Sequence, residues 1–151
     1  MTKFNETSYF TGVTQSASYF LHSSEINYIT FPPNISYIGD NGLRACTKLR
    51  GVEIGSKVTS IGGCFCFQSP NIEWVRCLAT TPPTQQAFGG QYSFYPKSIS
   101  NSSYYKLRLY VPDESVETYK AAEYWNGFAS RTFPLSQFED DAEQYGWEGY
   151  E

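Results

Sequence analysis

Three consecutive stretches of this chain carry one apolar skeleton, and that repetition restricts the possible folds more than any single motif does. They are residues 13–34, 35–57 and 58–80, which run 22, 23 and 23 residues. The second carries Ile35, Ile38-Gly39, Leu43, Cys46, Leu49, Val52 and Ile54. The third carries Val58, Ile61-Gly62, Cys66, Ser69, Ile72, Val75 and Cys77 at the same offsets. The first has Val13, Ser16-Ala17 and Leu21, then Ile26, Ile29 and Phe31 after losing one residue in its middle. A unit this short cannot enclose its own apolar side, so it has to stack on its neighbours and share a continuous core with them. Stacked arrays of this kind mostly present surfaces to partners.

Alternation inside each repeat predicts one short strand per coil, near residues 26–31, 49–55, 72–78 and 106–111. Val52 and Ile54 then point inward with Ile72, Val75 and Leu109, while Gly51 and Glu53 point outward. Parallel stacking lines up equivalent positions. One outward column reads Tyr28, Gly51, Trp74, Arg108, and the next reads Thr30, Glu53, Arg76, Tyr110. Glu53 falls beside Arg76, an opposite-charge pair across neighbouring strands. After Pro112 the period changes. Asp113 or Ser115 can cap a helix running to about Trp125, with Glu117 in its first turn and Gly127 ending it. Val116, Tyr119 and Ala122 share one face of that helix, which would plug the open end of the stack.

The spacing Ile35-x-x-Ile38-Gly39, Leu43, Cys46, Leu49, Val52-x-Ile54 resembles the BspA-like (Treponema-type) leucine-rich repeat. Leu109-Tyr110-Val111-Pro112 followed by residues 115–122 resembles the closing segment of such arrays in Bacteroidetes-type proteins, and Phe10-Thr11-Gly12-Val13 resembles their opening. The likeness covers about residues 9–128. It implies a β-rich solenoid, a leucine-rich-repeat array of about four coils with parallel strands and a C-terminal capping helix. It also implies a binding habit, and it names no ligand. The organisation expected is an N-terminal cap at 1–12, a solenoid at 13–112 with an insert at 89–105, a capping helix at 113–128 and an acidic aromatic tail at 129–151.

Charge and aromatic content bound the function classes. Residues 1–131 hold all 11 Lys and Arg and 9 of the 15 Asp and Glu, while residues 132–151 hold the other six acids and no base. A body netting +2 with no basic stripe is a poor phosphate binder, so nucleic acid is not the expected partner. No apolar run approaches the length of a membrane-spanning helix, and the first eight residues lack the apolar core of a secretory signal. Aromatic residues make up 18% of the chain, many of them off the repeat skeleton. Two readings of that excess stand, a contact surface and the capping of a short stack with little interior.

Nothing in the sequence assembles catalytic chemistry. Cys46, Cys64, Cys66 and Cys77 lack the paired spacing of a zinc site, and they read as buried thiols with a disulfide the less favoured alternative. His22 lies beside Ser23 and Ser24 without an orienting carboxylate or an oxyanion donor, and it reads as an exposed turn residue. No cofactor or metal is expected. The chain therefore reads as a non-enzymatic interaction or structural protein.

The candidate contact residues are the outward strand positions Tyr28, Trp74, Arg76, Arg108 and Tyr110, together with Tyr92, Phe94, Tyr95, Tyr104 and Tyr105 of the insert. Stacking aromatics with nearby arginine suit a protein partner or a host-surface glycan equally. The turns around His22, Arg44 and Gln68 are the fallback. Phe138, Tyr145, Trp147 and Tyr150 alternate with acids in the tail and are expected to dock on another chain, with a frayed terminus as the alternative. Related repeats occur in phages of Bacteroidetes hosts, so the expected setting is a virion component (attachment, fibre or decoration). A bacterial cell-surface adhesion module is the alternative. Self-association or docking on a larger assembly is expected in either setting.

Overall fold

The computed structural model describes residues 3–5, 17–66, 68–86 and 107–151. Its framework is two parallel sheets built from the repeats. The larger has six strands, in the order β1 (Lys3–Asn5), β2 (Tyr28–Thr30), β4 (Gly51–Ile54), β6 (Trp74–Cys77), β8 (Arg108–Val111) and β9 (Thr132–Pro134). The smaller has three, β3 (Tyr37–Ile38), β5 (Ser60–Ile61) and β7 (Thr84–Gln85). The four strands expected from alternation are all present, and their register matches the expected columns: Tyr28 against Gly51, Gly51 against Trp74, Trp74 against Arg108. β3, β5 and β7 are second short strands of their coils, which alternation did not predict because a two-residue strand is too brief to alternate.

The turns repeat as faithfully as the strands. Backbone N–H groups of Leu21 and Leu43 donate to the carbonyls of Gly42 and Phe65, one coil further on, each at 2.8 Å. Left-handed backbone recurs in pairs four residues apart, at Tyr19 and Ser23, Asn41 and Ala45, Cys64 and Gln68. The isoleucine-glycine pair has a steric cause, since a Cβ on Gly62 would run into the backbone of Gly39 and Asp40 in the preceding coil. At the position that Cys46 holds in the second repeat, the third repeat has Ser69. Its hydroxyl accepts the Cys46 N–H at 2.9 Å and donates to the Leu43 carbonyl at 2.6 Å, so a polar side chain is satisfied inside the core.

The core between the sheets is continuous. Val52, Ile54 and Val75 are fully buried, with Ile72 and Leu109 nearly so. It extends into the C-terminal segment through Tyr119, Trp125 and Phe128. Tyr119 donates its hydroxyl to the Ala79 carbonyl at 2.7 Å, and the Trp125 indole N–H donates to the Pro83 carbonyl at 2.8 Å. These two latches close the end of the stack.

The closing helix is shorter than expected. A 3-10 turn at Asp113–Ser115 leads into α1 (Val116–Ala121), and Ala122 is already extended at φ −71°, ψ 143°. Gly127 lies inside a second 3-10 segment, Asn126–Arg131, and does not end the helix. The reason is topological. Trp125 and Phe128 must reach back into the core, and the chain must return to the sheet to form β9 beside β8, with Leu109 against Thr132. Beyond β9 the tail is ordered. A 3-10 turn at Leu135–Gln137 runs into α2 (Phe138–Tyr145), whose first turn carries Glu139, Asp140 and Asp141 against the positive end of its dipole.

Candidate interaction surface

The outward face of the larger sheet, expected to be open to a partner, is covered by the chain's own C-terminal segment. Tyr28, Trp74 and Tyr110 are buried, at 7%, 1% and 0% exposure, in a second apolar cluster completed by Phe138, Ala142 and Trp147. The Phe138 ring meets Trp74 edge-on at 5.2 Å and Tyr110 edge-on at 4.9 Å between centroids. The Trp74 ring can lie flat toward Tyr28 because Gly51 stands between them, and a Cβ there would collide with the indole.

Two arginines of the sheet tie the segment down. The Arg76 guanidinium sits 4.5 Å from the Phe138 ring centroid, pairs with Glu53 at 3.0 Å and donates to the Tyr150 carbonyl at 3.0 Å. The expected Glu53–Arg76 pair is therefore present. Arg108 pairs with Asp141 at 2.9 Å, donates to the Tyr110 hydroxyl at 3.0 Å and lies 3.9 Å from the Phe133 ring centroid. Tyr110 in turn donates to Asp141 at 2.5 Å. Burial disfavours the Asp141 anion, but the Tyr110 hydroxyl, the Arg108 guanidinium and the Gln137 amide outweigh it and hold the carboxyl below its ordinary value. Burial, then the Asp141 acceptor, push the Tyr110 phenol far upward, so it stays a donor.

The expected contact residues thus divide. Tyr28, Trp74 and Tyr110 are buried cluster residues, and Arg76 and Arg108 are half-buried anchors. Phe138, Trp147 and Tyr150 of the tail do seat in aromatic pockets, but on their own sheet. The correction has one physical cause: alternation says which side of a strand a residue occupies and not what covers that side. Tyr92, Phe94, Tyr95, Tyr104 and Tyr105 lie outside the described residues. The turn residues His22 and Gln68 are exposed, and His22 accepts or shares a hydrogen bond with Ser23 at 3.1 Å. All four cysteines are buried and none of them is in a disulfide. Burial pushes the Cys77 thiol up to about 11, and it remains a packing group.

What the covered sheet leaves open is the rim at the N-terminal ends of its strands. There a groove of 510 Å³ is lined by Glu73, Arg108, Arg131, Tyr145 and Trp147. A second one of 350 Å³ shares Glu73 and continues past Arg50, Lys48 and Asn27. Asn27, Arg50 and Glu73 stand one residue before β2, β4 and β6 and form a column of their own, with Arg50 bound to Glu73 at 2.6 and 2.7 Å. Sequence reasoning did not select Arg50, Glu73, Arg131 or Asp141. A signal was available for Arg131: Thr132-Phe133-Pro134 follows Leu109-Tyr110-Val111 at the repeat's own spacing and marks a further strand.

Among the described residues no helix is long and apolar enough to cross a membrane. A family model described as BspA type leucine rich repeat region (6 copies) matches residues 1–95. No curated protein matches the chain. The matched span takes in β1 to β7, where spacing, register and turn ladders all repeat. The chain belongs to the BspA-type leucine-rich-repeat family.

Proposed function

We propose that this chain is a non-enzymatic interaction module, a short leucine-rich-repeat solenoid whose contact surface is the rim groove. The groove carries this reading. It is open, it mixes charged with aromatic side chains, and rigid strands and α2 fix its walls. Preformed walls lose little ordering entropy on contact. The buried face and tail serve that rim indirectly, by holding Tyr145 and Trp147 in place. Tyr92, Phe94, Tyr95, Tyr104 and Tyr105 of the insert belong to the proposal as further contact residues.

As to setting, the reading is a component of a phage virion (attachment, fibre or decoration), or else an adhesion module on a bacterial surface. The virion reading rests on the occurrence of related repeats in phages. Self-association or docking on a larger assembly goes with either. Immunogold labelling of purified particles and of intact bacteria separates the two settings. For the module itself, the test is attachment of the purified protein to intact target cells. Arg131→Glu with Tyr145→Ala should lower attachment by about tenfold or more, as loss of central contacts does. Attachment unchanged in that double variant would move the surface to the insert or to the turns at His22, Arg44 and Gln68. Ester hydrolysis abolished by His22→Ala would contradict the non-enzymatic reading.

A further inference from the structure

The chemistry of the rim groove narrows what it can hold. Arg108 in its wall is bound by Asp141, and Arg50 of the adjoining groove is bound by Glu73. Arg131 is half-buried in the groove wall with no hydrogen-bond or ion-pair partner among the described residues. Glu73 of the same groove has its Oε1 engaged by two nitrogens of Arg50. The Trp147 indole N–H and the Tyr145 hydroxyl likewise have no hydrogen-bond partner among the described residues. After internal pairing the groove thus offers one net positive charge and several unused donors.

It also offers a flat apolar surface. The Tyr145 ring is stacked on Trp147, with centroids 5.2 Å apart and planes 27° apart, and Tyr145 is 48% exposed. The Arg108 guanidinium lies 5.2 Å from the Tyr145 centroid and helps to fix the ring's position.

A single guanidinium beside a ring platform suits a planar monoanion carried on a ring-shaped ligand. Guanidinium and carboxylate meet as two parallel hydrogen bonds. A nucleic acid would need a row of unpaired cations, and so would an acidic peptide. A phosphate dianion would place its second charge close to Glu73 with nothing left to neutralise it. Aliphatic C–H faces of a pyranose pack on an exposed aromatic ring, and its hydroxyls can take the remaining donors.

We propose that the groove between the strand ends and α2 binds a sugar acid of a glycan, with the carboxylate on Arg131 and the sugar ring on Tyr145. This names the ligand class of the surface proposed above and rests on that reading.

The test is titration of the full-length protein, followed by ligand-detected NMR, with glucuronate and N-acetylneuraminate. Glucose is the neutral arm and tetraglutamate the peptide arm. A sugar acid should bind with a dissociation constant in the range of about 0.1–10 mM, and glucose about tenfold more weakly. Arg131→Gln should weaken the sugar acid about tenfold while leaving glucose unchanged, and Arg131→Lys should restore part of the loss. Tyr145→Ala should weaken both sugars, with the melting temperature of each variant recorded as the control for folding. Equal affinity for glucose, tighter binding of tetraglutamate, no sugar-acid binding at about 20 mM, or binding indifferent to Arg131→Gln would each overturn the proposal. If sugar acids fail while the groove double variant still loses cell attachment, the ligand class is wrong and the groove reading stands. If attachment is also unaffected, both fall.

Discussion

At Gly51 the sheet face carries no side chain, and the Trp74 indole of the next coil lies over that gap. Gly51→Ala pushes a methyl group into the indole, and overpacking of this kind costs about 1–3 kcal/mol. Chemical denaturation should show that loss, and a red-shifted tryptophan emission should accompany it. Asp141 is the other decisive residue. Because its folded-state carboxyl lies below the ordinary value of 3.8, its contribution is complete above that pH and is lost as pH falls through the folded value. Near-ultraviolet dichroism of the Trp74–Phe138–Trp147 cluster should therefore loosen below about pH 4, and Asp141→Asn should remove that pH dependence. The column Tyr28, Gly51, Trp74, Arg108 was legible in the sequence because a fixed period places equivalent residues side by side. That Gly51 exists to admit Trp74 was not, since the contact needs the ring's direction.

Among the elements, β9 and α2 departed furthest from the sequence reading. The tail reads as acidic and aromatic, which fits docking on any apolar face, and nothing local says whose face that is. The repeat period does say it for β9, through Thr132 standing against Leu109. Apolar burial outweighs charge in holding α2. Phe138 and Trp147 each contribute about 2–3 kcal/mol by burial, whereas the attraction between Arg108 and the buried Asp141 is offset by the cost of taking both charges out of water. Asp141 therefore sets the helix's position more than its affinity. Deleting residues 138–151 uncovers Trp74 and Tyr110, so the truncated protein should lose several kcal/mol of stability and tend to aggregate. Thermal denaturation with light scattering checks both outcomes. A free, solubilising tail would leave the melting temperature unchanged.

For the whole molecule, two apolar clusters lie on opposite sides of one parallel sheet: the repeat core on the inner face and the aromatic cluster on the outer. The repeat core was readable from spacing alone, since Val52, Ile54, Ile72, Val75 and Leu109 follow one period and are all buried. The outer cluster was legible only in part: Tyr28 and Trp74 follow the repeat period, but Phe138, Ala142 and Trp147 come from the tail and do not, and neither does Tyr150, whose carbonyl Arg76 reaches from 74 positions away. Charge follows the same division. The last 20 residues carry six acids and no base, and they lie over a sheet that presents Arg76 and Arg108. Closure of that face by the chain's own tail is the central structural feature of the molecule. Hydrogen–deuterium exchange of residues 138–147 at neutral pH, run across about a hundredfold range of protein concentration, tests it most directly, because local opening sets the exchange rate. The expected result is protection comparable to that of β4 and β6 and independent of concentration. Exchange at the rate of a free peptide, or protection that appears only at high concentration, would contradict it.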